Sequence, residues 1–155
     1  VWTKAPYPLL ILPNANLSYL VQPESYTNMN AMEFINDEYA SWDITYFMNG
    51  ALLNRIPLIK KLKWREVFSF RGMFGHLTDK NNPFKSNNPD LFRFPTRDGK
   101  FTSFVMDPKV PYVEASVGIY NIFKLLHVEY VHRFTYRDNP GINKNGIRFM
   151  VLMVF

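Results

Sequence analysis

Four carboxylates lie close together in the first third of the chain, and carboxylates are side chains that can transfer protons or bind cations. They are Glu33, Asp37, Glu38 and Asp43. Side chains of equal parity share one face of a strand, so Asp37 and Asp43 would lie on one face, with no acidic residue of that parity between them. The spacing matches neither a calcium-binding loop nor the paired carboxylates of a glycosidase. We therefore interpret the group as solvated loop and lumen charges.

Histidine is the other residue type whose spacing could support a metal site. His127 and Glu129 would share one face of a strand, whereas His132 points to the opposite face and His76 would have to join from a neighbouring strand. Three ligands from this one strand are therefore sterically excluded. We predict no metal site and no cofactor.

The usual motifs of catalysis are missing from the sequence. It has no Gly-x-Ser-x-Gly elbow, no phosphate-cradling glycine loop and no cysteine for a Cys-His pair. The net charge is +5, but no basic run is interleaved with aromatic residues as in nucleic-acid-binding proteins. The densest basic run is Lys60, Lys61, Lys63 and Arg65, for which contact with lipid phosphates and a solvated turn both stay open. We predict no enzyme and no nucleic-acid partner.

The elements that would position these charges are strands with alternating apolar and polar residues. Aromatic residues make up 17% of the 155 residues although the mean hydropathy is only -0.18, so the apolar side chains are dispersed. Alternation is clearest over Glu38 to Asn49, Leu62 to His76, Tyr112 to Ile119 and Leu126 to Tyr136. Several of these run to about ten residues, the length of a tilted membrane-spanning strand. No apolar run is long enough for a transmembrane helix.

Each predicted strand has one apolar and one polar face. The residues predicted to face lipid are Trp42, Ile44, Tyr46, Phe68, Phe70, Phe74, Val128, Tyr130 and Phe134. The polar residues predicted to face a lumen are Asp43, Arg65, Arg71, Glu114, Glu129 and Arg133. Within the lumen we expect the three arginines to pair with the three acidic residues across strands.

The sequence finishes on the run GIRFMVLMVF, which predicts one more strand. Its same-face residues are Ile147, Phe149, Val151, Met153 and Phe155. A free apolar edge of this kind would template aggregation in water, so it must be covered. The final strands of bacterial outer-membrane barrels are similar to it, and we interpret these five residues as an assembly signal. The alternative is a buried central strand of a soluble sheet.

The connections differ in length, as the two sides of an outer-membrane barrel do. With the C-terminal end placed on the periplasmic side, Leu77 to Lys109 becomes a long external loop and Arg137 to Asn145 is also external. The tight turn at Tyr120 to Leu125 is then periplasmic. Inside the long loop, Asp98 and Gly99 form an Asp-Gly pair that predicts a small hairpin.

The predicted strands are too few to close a barrel. Gly50 to Lys61 is expected to be a periplasmic connection in which Pro57 limits any helix, and Leu17 to Gln22 is a further strand candidate. The total is about six strands, whereas closing a transmembrane barrel takes at least about eight. We therefore predict an all-β fold, an antiparallel transmembrane β-barrel of which residues 1–155 are the C-terminal part.

Several local patterns have a characteristic order and spacing: YPLLILPNANLSY at 7–19, NMNAMEFINDEYAS at 28–41, NGALLNRIPLIKKLKWREV at 49–67, HLTDKN at 76–81, PYVEASVGIYNIFKLLHVEYVHRFTY at 111–136, and the terminal GIRF run. Taken together, they resemble the barrel region of a Bacteroidota outer-membrane family. Its long members carry an N-terminal carboxypeptidase-regulatory-like domain and then a region of undefined function related to BamA/TamA-type surface-antigen barrels.

The resemblance implies an integral protein of the bacterial outer membrane with a role in outer-membrane biogenesis or transport. The partners it implies are outer-membrane lipid, the remaining strands of the same barrel, the barrel-assembly machinery and other subunits of an outer-membrane complex. Arg71 and Gly72 look like the arginine-glycine loop motif of the wider superfamily, but they lie inside a predicted strand, so that role is not carried over. A soluble β-sandwich or small β-barrel binding module is the alternative.

Overall fold

The computed structural model of the chain describes residues 10–22, 24–86 and 89–151, and within them the fold is all-β. A turn of 3-10 helix at Leu53–Arg55 accompanies the regular elements. These are β1 (Glu38–Phe47), α1 (Pro57–Leu62), β2 (Arg65–His76), β3 (Thr96–Arg97), β4 (Lys100–Phe101), β5 (Tyr112–Ile122), β6 (Leu126–Arg133) and β7 (Asn145–Val151).

The five long strands form one antiparallel sheet in the order β1-β2-β5-β6-β7. Neighbours in the sheet are also successive long strands of the chain, so each connection joins adjacent strands. This confirms the prediction of an antiparallel all-β fold. The sheet is open in the described residues, with β1 and β7 at its edges, and it has five strands against the predicted six. Met153 and Phe155 of the predicted final strand lie outside the described residues.

The two faces of the sheet differ in composition and burial. On β2, Val67, Ser69 and Met73 are buried, whereas Phe68 and Phe70 between them are exposed. We call the exposed apolar face the outer face and the opposite one the inner face. The large apolar residues exposed on the outer face are Ile44, Tyr46, Phe68, Phe70, Phe74, Val117, Tyr130, Ile147, Phe149 and Val151.

The inner face is covered by the chain itself. Residues 24–36, which we call the cover segment, lie over β2, β5 and β6 and are largely buried. One apolar cluster joins this segment to the sheet and contains Met29, Phe34, Met73, Met106 and Tyr112. A second cluster contains Ile35, Leu77 and Phe94. The stretch from 77 to 109 is therefore not simply an exposed loop, because its apolar side chains complete the core.

The Asp-Gly prediction inside that stretch is confirmed. Strands β3 and β4 pair around Asp98 and Gly99, which have φ angles of 51° and 74°. Two successive positive φ angles are the requirement of the tight hairpin turn that Asp-Gly favours.

Two other sequence interpretations are wrong. Pro57 does not limit the helix in the first connection but begins α1, because a first-turn residue needs no N–H donor. Residues 17–22 do not add an antiparallel strand, since Leu20 makes one isolated parallel bridge to Phe149. Asn16 and Ser18 explain the second error: the Asn16 side-chain amide donates to the Leu20 carbonyl, and the Ser18 N–H donates to Asn16 Oδ1, which curls the chain.

Glu66 is an acidic residue at an outer-face position of β2, where the neighbouring residues of the same face are Phe68 and Phe70. The structure explains it, because the carboxylate is buried at the end of the sheet and accepts hydrogen bonds from backbone N–H groups. The donors are Gly50 at 2.9 Å, Leu52 at 3.0 Å and Leu53. Glu66 therefore anchors the connection between β1 and β2 rather than projecting from the outer face.

Candidate functional site

The strand register aligns four charged residues of alternating sign across the inner face. Asp43 on β1 is the cross-strand partner of Arg71 on β2, Arg71 of Glu114 on β5, and Glu114 of Arg133 on β6. We call these four residues the charge row. Opposite charges at facing positions attract, so the row favours this register over its alternatives.

Arg133 is the most connected residue of the charge row. Its side chain is fully buried, and Nη1 and Nη2 bind the two carboxylate oxygens of Glu33 at 2.9 and 2.6 Å. Its other N–H groups donate to the carbonyls of Asn28, Thr135 and Tyr136. The guanidinium also lies over a tyrosine ring of β5, at 4.8 Å from the centroid. All five of its N–H donors are therefore used, and one side chain joins β6, the cover segment and the connection to β7.

Glu114, the cross-strand neighbour of Arg133 in the charge row, also binds the cover segment. Its two carboxylate oxygens accept the backbone N–H groups of Thr27 at 2.8 Å and Asn28 at 3.1 Å. The Tyr112 hydroxyl donates to the same carboxylate at 2.9 Å. Because these donors satisfy Glu114, Arg133 is available to pair with Glu33.

Arg71 and Tyr26 fasten the beginning of the cover segment. The Arg71 Nε lies 2.9 Å from Asp43 Oδ2, and Nη1 donates to the Ser25 carbonyl. The Tyr26 hydroxyl donates to the Gly72 carbonyl at 3.1 Å. Burial, together with the nearby carboxylates of Glu114 and Asp43, raises the pKa of Tyr26 to about 12. Tyr26 is therefore a neutral donor at any physiological pH.

The predicted arginine pairs are correct in part. Arg71 pairs with Asp43 as expected, whereas Arg133 pairs with Glu33, which the sequence pattern had placed among solvated charges. Arg65 is exposed and donates to the side-chain oxygen of Asn49 instead of a carboxylate. The cover segment changes the pairing because it supplies the carboxylate of Glu33 to Arg133 and the backbone N–H groups of Thr27 and Asn28 to Glu114.

Asp37 is also buried, so the interpretation of solvated charge is wrong for it as it is for Glu33. Its carboxylate accepts the Thr78 backbone N–H at 3.0 Å, the Thr78 hydroxyl, and the Asn81 side-chain amide at 2.7 Å. Burial alone would raise the pKa of Asp37, but these hydrogen bonds together hold it below its ordinary value. Asp37 thus stabilises the turn that follows β2.

The histidine pattern is placed as predicted, with His127 and Glu129 on the inner face and His132 on the other. Ser116 donates directly to Glu129, and His127 Nε2 lies 4.0 Å from the same carboxylate. A catalytic triad needs the histidine between the serine and the acid. Here the acid lies between them, so these three residues do not form a triad of that type. Among the described residues, no three His, Asp or Glu side chains form a metal-binding group.

The residues predicted to face lipid lie on the outer face. Ile44, Tyr46, Phe68, Phe70, Phe74 and Tyr130 are exposed there, with Phe134 just beyond β6, while Trp42 and Val128 are half-buried. Trp42 packs over Gly72, where a Cβ atom would lie 2.2 Å from its ring. That lipid covers this face stays a prediction.

A cavity of about 350 Å³ lies beside β1, between the charge row and the start of the cover segment. Its polar lining includes Tyr26, Asp43 and Arg71, whose side chains already bond one another or nearby backbone.

Comparison with protein-family models, curated proteins and solved structures finds no match for this chain. The family resemblance therefore stays a prediction. In the described part of the chain, no helix combines the length and apolar character needed to cross a membrane.

Sequence reasoning missed the residues of the cover segment that bind the charge row. Thr27 and Asn28 act mainly through backbone N–H and C=O groups, which leave no trace in residue type. The sequence signal that could have indicated this contact is the presence of glycine in the strands. A Cβ atom at Gly146 would lie 2.5 Å from Asn28 Oδ1, and one at Gly75 would lie equally close to Asn36 Oδ1. Glycines at inner-face positions of strands mark where another part of the chain approaches closely.

Proposed function

We propose that this chain is part of the wall of an outer-membrane β-barrel with a role in outer-membrane biogenesis or transport. The observation that carries the proposal is the inverted arrangement of the sheet, whose outer face exposes apolar rings while its inner face buries charge. Soluble proteins rarely leave a continuous apolar surface of this kind uncovered. Hydrocarbon is the solvent that suits it.

Strand length supports the same proposal. Strands β1, β2 and β5 have 10, 12 and 11 residues. A tilted strand needs about 9 to 11 residues to cross a bilayer, whereas strands of globular proteins average about 5 or 6.

The connections also differ between the two ends of the sheet. Residues 48–64 and 123–125 connect strands at one end, which we call the turn end. Residues 77–111 and 134–144 connect them at the other, which we call the loop end. Outer-membrane barrels have short periplasmic turns and longer external loops. The longest connection, residues 77–111, lies at the loop end and the shortest, residues 123–125, lies at the turn end, so the turn end is assigned to the periplasm.

The exposure of the edge strand β1 supports the proposal that the sheet continues into further strands. Apart from the half-buried Trp42, its residues are exposed on both faces, and β2 is its partner in the described sheet. A barrel has no free edges, so further strands of the same barrel are the proposed neighbours of β1. The cover segment would then fill the lumen beside this wall rather than leave a water-filled channel there.

Two adjacent residues of β1 provide a direct test. Ile44 and Thr45 are both exposed but lie on opposite faces of the sheet. The chain has no cysteine, so Ile44→Cys and Thr45→Cys each introduce one spin-labelling site. Each labelled substitution is made in the complete barrel, with the strands proposed to neighbour β1 present. The labelled protein is folded into phosphatidylcholine vesicles and exposed to oxygen, which partitions into lipid, or to a water-soluble nickel relaxant.

The expected result is a strong contrast between the neighbouring positions. Oxygen should dominate relaxation at position 44, and nickel should dominate at position 45. Equal access of nickel to both labels, with the chain monomeric in detergent-free buffer, would overturn the proposal and favour a soluble β-sandwich or binding module.

A further inference from the structure

The turn end of the sheet has a surface composition unlike the rest of the molecule. It consists of residues 48–64, which include α1, and residues 121–125, and we call it the turn surface. The two parts are joined, because the Asn121 side chain donates to the Lys63 carbonyl at 2.7 Å and the Tyr120 hydroxyl donates to Asn49 Oδ1 at 2.6 Å. Both connections therefore present one continuous surface.

Large apolar side chains project from the turn surface. Leu58 on α1 is 78% exposed and Phe123 in the second turn is 77% exposed, values higher than those of the outer-face residues. Ile56, Leu62 and Leu125 are exposed nearby. Solvated turns favour polar residues and Gly or Pro, so a cluster of protruding leucines and a phenylalanine needs an apolar contact.

The charged residues of the turn surface all have one sign. Its exposed cations are Arg55, Lys60, Lys61, Lys63 and Lys124, and neither residues 48–64 nor residues 121–125 contain an Asp or Glu. The neighbouring acid, Glu66, is buried and occupied by three backbone N–H groups. The loop end differs, because it mixes both signs and Lys85 there pairs with Asp79 at 2.8 Å.

We propose that the turn surface binds the phosphate headgroups of an anionic phospholipid layer. This inference rests on the proposed function, and it deepens that function by giving the periplasmic end of the wall a specific lipid contact. Protruding apolar groups surrounded by cations complement a layer in which phosphates lie above hydrocarbon. A protein partner would have to offer both acids and an apolar groove, whereas the lipid layer next to the outer face offers phosphate and hydrocarbon together.

The test uses the same complete barrel, labelled at Leu58→Cys with an environment-sensitive fluorophore. It is folded into vesicles of phosphatidylcholine alone, or of phosphatidylcholine mixed with phosphatidylglycerol, each carrying a trace of lipid spin-labelled at the headgroup. Two further chains carry the same label. One has Lys60→Gln, Lys61→Gln and Lys63→Gln, and the control has Lys100→Gln, Lys109→Gln and Lys144→Gln, which removes equal charge from the loop end.

We expect headgroup quenching at position 58 to rise when phosphatidylglycerol is added and to fall when salt is added. The turn-surface variant should need at least about tenfold more phosphatidylglycerol for the same quenching, and the loop-end control should behave like the parent chain. Quenching that does not depend on phosphatidylglycerol, or that is lost equally in both variants, would overturn the inference.

The labels at positions 44 and 45 separate this outcome from failure of the proposed function. If their contrast in oxygen and nickel access persists while quenching at position 58 is independent of phosphatidylglycerol, the chain spans the bilayer and the inference alone is wrong. If that contrast is absent, the proposed function fails, and the lipid inference fails with it.

Discussion

The outer and inner faces of the same five strands are held by different forces. The outer face is a set of exposed rings with little specific contact between chain segments, whereas the inner face contains a buried network in which Glu33, Glu114 and Arg133 are each held by specific hydrogen bonds. Apolar surface is non-directional and tolerates exchange among residues of similar size. Buried charge is directional, so the identity of each partner matters. The contacts of the inner face should therefore specify the fold. The composition of the outer face should decide whether the chain is stable in water or in lipid.

The largest expected effect is at the centre of the inner face. Arg133→Met leaves Glu33 buried without its bidentate partner, which should lower the free energy of unfolding by about 3 to 5 kcal/mol. Denaturant titration followed by tryptophan fluorescence measures it. Adding Glu33→Leu should restore part of the loss, because the unpaired charge is then removed. A loss no greater than that of an outer-face alanine substitution would contradict the comparison.

Phe70→Arg sharpens the comparison from the other face. If lipid covers the outer face, a cation near the middle of the bilayer should cost about 2 to 4 kcal/mol. In water, the same substitution at an exposed position should change stability by no more than about 0.5 kcal/mol. Unfolding measured in vesicles and in detergent-free buffer distinguishes the two, with Phe70→Leu as the size-matched control. Equally small changes in the free energy of unfolding in both media would argue against lipid covering the outer face.

A smaller effect is expected where the cover segment approaches β7. In Gly146→Ala, the added Cβ would lie 2.5 Å from Asn28 Oδ1, so stability should fall by about 1 to 3 kcal/mol. Asn28→Ala removes the clashing atoms, and the two substitutions together should cost less than the sum of their separate effects. Thermal melts of the three variants test this, and strictly additive losses would show that the contact is absent.

The smallest effect concerns Asp37 and depends on pH. Since its pKa is lowered in the folded state, its stabilising effect is present above the unfolded value near 4 and is lost as the pH falls through the folded value. Asp37→Asn should therefore be about 1 to 2 kcal/mol less stable than the parent chain at neutral pH. As the pH falls below about 4 and through the folded value, the difference should shrink. A difference that stays constant over this range would exclude the carboxylate as its cause.

The strands could be predicted because their signal is local. Alternation places Phe68 and Ser69 on opposite faces whatever lies further away, and Asp98-Gly99 specifies its own turn. The cover segment could not be predicted, because residues 24–36 have no strand period and bind largely through backbone groups. The partner of Arg133 was missed for a related reason. Register alone favours Glu114, but that carboxylate is already satisfied by amides that only the folded cover segment supplies.

The Glu33–Arg133 pair joins residues 100 positions apart in the chain. The ion pair cannot form until β6 has joined the sheet. Glu33 in the cover segment therefore stays unpaired while most of the strands assemble. Closing so long a loop is entropically slow compared with forming each hairpin. Locking of the interior should therefore be the last kinetic phase of folding, and an intermediate with formed hairpins and a loose interior should precede the native state.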